Sequence, residues 1–346
     1  MAVPRPMNAD ARWPAAAAGW LGACLALPAL GAEATSPSLS LPIACEVGKT
    51  CFVQNYVDID PGPGARDYAC GSATYEGHKG TDIRLLSTRA AKAGVAVVAA
   101  ADGVISGARD GETDIFASEG GRDAIQGREC GNGVVIDHGG GWETQYCHMR
   151  KGSVRLKTGA TVQRGDQLGE VGWSGFADFA HLHFSVRHAG TPVDPFTAHG
   201  MDGACVADTG SARGLWTSAA AQALAYRSAE ILGAEISDRM PAAAELEHDH
   251  TRLTPATPDS DALLLGVRAI KMRAGDVVRL ELVGPGGLRV EGGKRPLPKD
   301  KATYIGCAGI KRPKTLSRWP GGRYEGHVSI ERNGQLLSER RVVREL

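Results

Sequence analysis

The sequence predicts a mainly β protein, with an antiparallel β-sheet domain followed by a small β-sandwich. Between residues 77 and 197, short β-type runs are separated by glycine turns, as where the run 95–100 precedes an Asp-Gly turn at 102–103. From residue 262 to the end, apolar and polar residues alternate again, with Gly-Pro-Gly-Gly and Asn-Gly turns between the runs. A chain of 346 residues also exceeds the usual single domain of about 100–200 residues, so two folded units are expected.

The N-terminus is predicted to be an export signal. Arg5 and Arg12 precede an apolar run at 13–30 that ends in small residues, which places the end of the signal at residue 32. Two alternatives remain open, because the run is nearly long enough to stay as a membrane anchor and Leu-Gly-Ala-Cys24 resembles a lipoprotein processing site. We therefore expect an exported protein of the periplasm or cell envelope, which contacts the membrane only if this N-terminus is uncleaved or lipidated.

The rest of the chain is expected to divide at changes in composition. The Asp-Ile-Asp-Pro-Gly-Pro-Gly run at 58–64 predicts a surface loop, the polar 107–128 stretch predicts a long loop between strands, and the Ala-rich 215–235 stretch predicts a helix. The expected segments are the signal 1–32, an N-terminal extension 33–75, the β-sheet domain 76–199, a partly helical linker 200–260 and the β-sandwich 261–346.

The charge balance argues against a nucleic-acid partner. The chain has 39 Lys and Arg residues and 39 Asp and Glu residues, which gives a formal net charge of zero. It therefore has no overall field that would attract nucleic acid or an anionic membrane surface.

The cysteines are predicted to form structural disulfides, because export places them where disulfides persist. A structural zinc site would favour paired Cys-x-x-Cys spacings, which the sequence lacks. The expected bridges are a local Cys45–Cys51 loop, one bridge among Cys70, Cys130 and Cys147, and Cys205–Cys307.

Two short motifs supply three histidines and a carboxylate. They are His78-Lys-Gly-Thr-Asp82 and His181-Leu-His183-Phe. His181 and His183 are two residues apart in a β-type run, so their side chains leave the strand on the same face. We expect Asp82 at the start of another strand, and a hairpin to bring His148 back toward the same place.

These residue types indicate a catalytic zinc site. Catalytic zinc takes three nitrogen or oxygen ligands from the protein and leaves a fourth position for water, and two histidines with one aspartate meet that need. Calcium and magnesium would require mostly oxygen ligands, and the sequence has no His-Glu-x-x-His helix of the other common zinc peptidase type. The predicted cofactor is therefore Zn²⁺.

Taken in order, the motifs resemble the M23 peptidases, which include lysostaphin and LytM. The resemblance covers residues 76–199 and rests on the following matches: His78-x-x-x-Asp82, Ala100-x-Asp102-Gly103-Val104, Tyr146-x-His148, the glycine-rich run from Gly165 to Gly175, His181-Leu182-His183-Phe184 and Pro192-Val193-Asp194-Pro195. It implies a LytM-like sheet of the duplicated hybrid motif type. It also implies that His78, Asp82 and His183 bind zinc, while His148 and His181 stay off the metal and are catalytic.

The resemblance further implies a zinc endopeptidase that hydrolyses peptide cross-links of bacterial peptidoglycan, with the peptide stems as its partners. His181 would accept the proton of the activated water and His148 would hydrogen-bond the developing oxyanion, although these two roles could be exchanged. A disulfide-rich exported chain suits a periplasm, which favours the D-amino-acid cross-links of Gram-negative walls. Two alternatives stay open: a non-catalytic LytM-like activator of other wall hydrolases, and a D-alanyl-D-alanine carboxypeptidase, whose usual His-to-Asp spacing is longer.

Overall fold

The computed structural model describes residues 36–120, 125–201, 205–206, 214–250 and 254–346. The predicted export signal, with Cys24 inside it, lies outside these described residues. Within them, no helix is long and apolar enough to cross a bilayer.

The described residues before residue 200 form ten strands and two short helices. The strands are β1 (Cys51–Asn55), β2 (Thr81–Leu85), β3 (Ala96–Val98), β4 (Gly103–Arg109), β5 (Asn132–Asp137), β6 (Trp142–Met149), β7 (Thr161–Val162), β8 (Gln167–Glu170), β9 (His181–His188) and β10 (Thr191–Val193). The helices are α1 (Thr88–Lys92) and α2 (Ala117–Gly120).

The described residues after residue 200 form two further short helices, seven strands and one 3₁₀ turn. The helices are α3 (Ser218–Ala223) and α4 (Ala243–His248), and the 3₁₀ turn is Pro285–Gly287. The strands are β11 (Glu230–Ser237), β12 (Ala262–Met272), β13 (Val277–Gly284), β14 (Leu288–Gly292), β15 (Lys301–Lys311), β16 (Arg323–Arg332) and β17 (Gln335–Glu345).

Eight of the first ten strands build a large antiparallel sheet in the order β1-β2-β9-β6-β5-β4-β7, with β10 paired to β9. The other two, β3 and β8, pair with each other in a separate sheet. Strand β9 lies in the middle, between β2 and β6. Its pairing with β2 places Asp82 opposite His183 and Arg84 opposite His181. The mainly β fold class is therefore confirmed, and the two histidine motifs meet on neighbouring strands.

The face of β9 that points away from the histidines forms the core of this unit. Leu182, Phe184 and Val186 are fully buried and alternate with His181 and His183 along the strand. Burying each such side chain stabilises the fold by roughly 1.5–3 kcal/mol. A one-residue slip in register would expose all three, so the same packing also fixes the face from which the histidines emerge.

The later strands form two antiparallel sheets, β11-β12-β15 and β14-β13-β16-β17. Their inner faces share one apolar core, in which Leu265, Leu282 and Val328 are fully buried. This arrangement agrees with the predicted C-terminal β-sandwich.

The helix predicted for residues 215–235 is wrong over most of its length. Only Ser218–Ala223 is helical, while Glu230–Ser237 is strand β11, paired with β12. Ile231 and Ile236 become buried in this strand. Helix propensities differ by less than about 1 kcal/mol per ordinary residue, so tertiary burial of two isoleucines outweighs them.

The two units contact each other along β1 and β12. Phe52 packs with Leu232 and Ile270 in a small apolar cluster between the two main cores. Beside it, Gln54 donates a hydrogen bond from Nε2 to the carbonyl oxygen of Ala302 at 2.9 Å. The sandwich is therefore packed directly against the edge strand of the large sheet.

Three disulfides join cysteines of the described residues. The bridges are Cys45–Cys51, Cys70–Cys205 and Cys130–Cys147. The expected Cys45–Cys51 bridge is confirmed. The second expected bridge joins two of Cys70, Cys130 and Cys147, and Cys130–Cys147 is one of those pairs. The expected Cys205–Cys307 bridge is wrong, because Cys205 is bonded to Cys70. A 2.6 Å hydrogen bond from Val206 N to Tyr68 O holds Cys205 beside Cys70, while Cys307 is an exposed free thiol on β15.

Candidate metal centre

Three of the predicted residues bring their donor atoms into one group. His78, Asp82 and His183 each offer one ligand atom, and these atoms lie within 4.8 Å of one another. Asp82 Oδ1 lies 3.2 Å from His78 Nε2 and 2.8 Å from His183 Nδ1. Gly80 permits this approach, because a Cβ at that position would lie 2.6 Å from His183 Nε2.

Neighbouring groups fix which atoms face the centre. His78 donates from Nδ1 to the carbonyl oxygen of Tyr56 at 2.7 Å, which leaves Nε2 directed at Asp82. Asn55 donates to Asp82 Oδ2 at 2.8 Å, which leaves Oδ1 for the histidines. Such outer partners fix the tautomer of a ligating imidazole and orient a ligating carboxylate.

The other two predicted residues, His148 and His181, lie beside this group, with their ring centroids 4.5 Å apart. His181 donates from Nδ1 to Phe179 O at 2.9 Å, and His148 donates from Nδ1 to Ser174 O at 2.8 Å. When neutral, both rings therefore present an unprotonated Nε2. His181 Nε2 is 3.5 Å from Asp82 Oδ1, so it borders the donor group.

Burial and charge set the protonation of these groups. Burial lowers the pKa of His148 well below its usual value, and the positive charges of His181 and His183 would lower it further. Burial also lowers the pKa of His181, although the Asp82 carboxylate opposes that effect. Both rings are therefore neutral at pH 7 and able to accept a proton.

Within the donor group, the histidines keep Asp82 ionised. Burial acts to raise the pKa of Asp82, but His78, His181 and His183 overcome it and hold that pKa well below its usual value. Burial acts to lower the pKa of His78, yet the carboxylate of Asp82 outweighs it and the pKa is raised. An ionised carboxylate with two imidazoles is a donor set that suits Zn²⁺, and it has too few oxygens for Ca²⁺.

His148 is held in an uncommon backbone conformation, with φ of 61°. Its N–H donates to Cys130 O at 2.8 Å and its carbonyl accepts from Gly172 N at 3.0 Å. The Cys130–Cys147 disulfide ties down the residue before it. A non-glycine residue with positive φ persists only where its surroundings enforce it, and such residues are frequent at active sites.

The loop predicted at 107–128 begins later than expected, because β4 continues to Arg109. It reaches the site through Asp114, whose carboxylate accepts from Trp173 N at 3.0 Å. Trp173 precedes Ser174, whose carbonyl orients His148. The loop therefore supports the segment that holds a catalytic candidate.

An exposed aromatic ring stands at the edge of the centre. The Tyr75 ring packs against His78 with centroids 4.4 Å apart, and 52% of Tyr75 is exposed. His78 itself is almost fully buried. Tyr75 thus offers an apolar surface next to the donor group.

Sequence reasoning missed the residues that orient these groups, namely Asn55 for Asp82 and Tyr56, Ser174 and Phe179 for the histidines. Three of them act through backbone carbonyl oxygens, which every residue type supplies. No residue type or spacing could have signalled these three contacts.

Comparisons with known proteins match one part of the chain to a family model and to several relatives. Residues 76–195 match the model of "Peptidase family M23". Among characterised relatives, the chain is 38% identical over 69 residues to the peptidoglycan DD-endopeptidase ShyA of Vibrio cholerae, which is 20% of this chain and 16% of that protein. It is 34% identical over 124 residues to the DD-carboxypeptidase/endopeptidase Mpg of Neisseria meningitidis, which is 35% of this chain and 23% of that protein.

A third relative, the cell division protein DipM of Caulobacter vibrioides, is 36% identical over 92 residues, which is 24% of this chain and 15% of that protein. The chain thus spans less than a quarter of the length of these relatives. Among solved structures, a zinc-containing peptidase from Vibrio cholerae matches at 22% identity and a TM-score of 0.27, over 46% of this chain and 41% of that one.

Proposed function

From the match of residues 76–195 to peptidase family M23, we propose that the protein is a zinc-dependent endopeptidase acting on peptide cross-links of bacterial peptidoglycan. The observation that carries the proposal is the grouping of His78, Asp82 and His183 beside two further histidines that are neutral at pH 7. The names of ShyA and Mpg, a peptidoglycan DD-endopeptidase and a DD-carboxypeptidase/endopeptidase, support peptidoglycan as the substrate class.

His78 through Nε2, Asp82 through Oδ1 and His183 through Nδ1 would hold the metal. Zinc, when bound, supplies a Lewis acid that activates water and polarises the scissile carbonyl. Asn55 and the Tyr56 carbonyl keep the ligand atoms turned toward this position.

His181 is the better candidate for the base. Its Nε2 is free to accept a proton, and the nearby Asp82 carboxylate stabilises the protonated ring. The proton accepted at Nε2 can then pass to the leaving amine. His148 has the more strongly lowered pKa, and its Nδ1 proton is already donated to Ser174 O. It would therefore donate to a developing oxyanion only after a proton reaches its Nε2.

The disulfides support an oxidising compartment, so we propose that the protein works in the periplasm or cell envelope. We also propose residues 76–199 as the peptidase domain, with the later segments as an attached unit.

The test uses the purified full chain, its His183→Ala variant and a matched His188→Ala variant. His188 lies on the same strand as His183 but stacks on Trp142, away from the donor group. Zinc content is measured by elemental analysis, and digestion of peptidoglycan is followed by mass spectrometry of the released peptides.

We expect one zinc per chain and new free amines for the wild type and His188→Ala, and loss of both for His183→Ala. Wild-type protein that binds zinc without cleaving would favour a non-catalytic activator. Wild-type protein that binds no zinc would contradict the metal assignment.

A further inference from the structure

A buried arginine lies directly opposite the proposed base. Arg84 on β2 pairs with His181 on β9, and its side chain is only 1% exposed. Arginine is almost never fully buried unless it is paired. Side chains of a strand alternate between its faces, so Arg84 shares its face with the metal-ligand candidate Asp82.

Arg84 reaches His181 through one aromatic ring. Its guanidinium carbon lies 4.8 Å from the centroid of the Phe179 ring. The Phe179 ring stacks on the ring of His181, with centroids 4.3 Å apart and an interplanar angle of 29°. The carbonyl oxygen of Phe179 accepts the Nδ1 proton of His181 at 2.9 Å. Phe179 therefore controls both the orientation and the tautomer of the base, and Arg84 packs on Phe179.

The carboxylate that pairs with Arg84 comes from a segment outside residues 76–195, the part of the chain that matches the family model. Glu247 on α4 accepts a hydrogen bond from Arg84 Nη2 at 2.7 Å and also pairs with Arg268 on β12. Arg84 makes its other polar contacts with Gln54 Oε1 at 2.8 Å and Leu85 O at 3.2 Å. One carboxylate thus lies between two buried guanidinium groups, and its removal would leave both positive charges without their shared counter-ion.

Burial lowers the pKa of Arg84 to about 10, and the carboxylate of Glu247 acts against this effect. At neutral pH the guanidinium is therefore charged, as a cation–π contact with Phe179 requires.

We propose that Arg84, held by Glu247, is a positioning residue for His181, so that helix α4 completes the support of the active site from outside the M23 domain. The inference rests on the proposed function insofar as His181 is catalytic. Misplacement of a reacting group by about 1 Å can lower a rate by about 100-fold. The loss belongs in kcat, since neither Arg84 nor Glu247 takes part in the proposed metal binding and the side chain of Arg84, which contacts Phe179, is only 1% exposed.

Three variants test the arrangement on the full chain. Glu247→Gln keeps the size of the side chain and removes its charge, while Arg84→Met removes the cation. Phe179→Leu removes the connecting ring without touching either ion. Phe179 is only partly buried, so this variant should fold even where the two charge variants do not, and it then still tests the arrangement. The matched control is Asp249→Asn, which breaks the pair with Arg89 at 3.1 Å just after the same helix and leaves Glu247 unchanged.

For the three variants we expect kcat on peptidoglycan fragments to fall by about 10-fold or more, with KM within about 2-fold and zinc content unchanged. Glu247→Asp should recover part of the loss, and Asp249→Asn should match the wild type. A wild-type kcat in both Glu247→Gln and Phe179→Leu would overturn the proposal.

A second measurement does not depend on activity. Long-range ¹H–¹⁵N correlation spectra report which ring nitrogen of His181 carries the proton. We expect one tautomer, protonated at Nδ1, in the wild type and a mixture in Glu247→Gln, Arg84→Met and Phe179→Leu. An unchanged tautomer in all three would refute the positioning role. A wild-type protein without peptidase activity but with these tautomer shifts would contradict the proposed function alone.

Discussion

The carboxyl group of Asp194 should make the stability of this protein fall as pH rises toward 7. Asp194 follows β10 and is fully buried. Its Oδ1 accepts a hydrogen bond from Phe196 N at 2.6 Å, but its Oδ2 has no hydrogen-bond partner among the described residues. Burial is the main cause that raises its pKa from 3.8 to about 7, against the opposing effect of backbone hydrogen bonds from Phe196 and Thr197.

The sign and size follow from proton linkage. Between pH 3.8 and about 7 the folded state keeps the proton of Asp194, while the unfolded chain releases it. The contribution to the free energy of unfolding is therefore complete below pH 3.8 and is lost as pH rises to about 7. The two pKa values differ by about 3, which at about 1.4 kcal/mol per pKa unit corresponds to about 4 kcal/mol.

Asp194→Asn removes the titration and keeps the shape of the side chain. Urea unfolding of both proteins is followed from pH 4 to 8, after removal of metal with a chelator because metal binding itself depends on pH. With an m-value of about 3 kcal/mol per M, the urea midpoint of the wild type should fall by about 1 M more than that of Asp194→Asn over this pH range. Asp178→Asn, which changes an exposed carboxyl in the same unit, serves as the control. Equal pH dependence in the wild type and Asp194→Asn would refute the reasoning.

Two further predictions concern the donor group and the disulfides. Gly80→Ala would place a Cβ 2.6 Å from His183 Nε2 and 2.8 Å from Phe184 O, so zinc affinity measured by chelator competition should fall by about 10-fold or more. Gly233→Ala, whose Cβ would have nothing within 4 Å, should leave that affinity unchanged, and equal affinities in the two variants would contradict the steric argument. Non-reducing peptide mapping should recover Cys70 linked to Cys205, with Cys307 alkylated without denaturant. A linked Cys205–Cys307 peptide would contradict the assigned pairing.

The features that could be predicted from sequence depend on local periodicity and spacing. The alternation around His181 and His183 predicts both the strand and the face of the two histidines, since the side-chain period of a strand is two residues. The Cys45–Cys51 bridge spans six residues, so it too is a local feature. Residue type and spacing indicate three histidines and one carboxylate for a zinc site, while the choice of His78, Asp82 and His183 as ligands is what the resemblance to the M23 peptidases implies, and it stays a prediction.

What the sequence alone determined is therefore the β class, the motifs of the candidate centre and the position of their side chains within each strand. The tertiary structure decided the rest. The Cys70–Cys205 bridge joins residues 135 apart, and Arg84 meets a carboxylate that lies 163 residues later in the chain. Such contacts arise only when separate elements pack against one another. Burial of apolar faces and pairing of buried charges depend on which surfaces of two elements meet, and the order of residues within each element does not determine that.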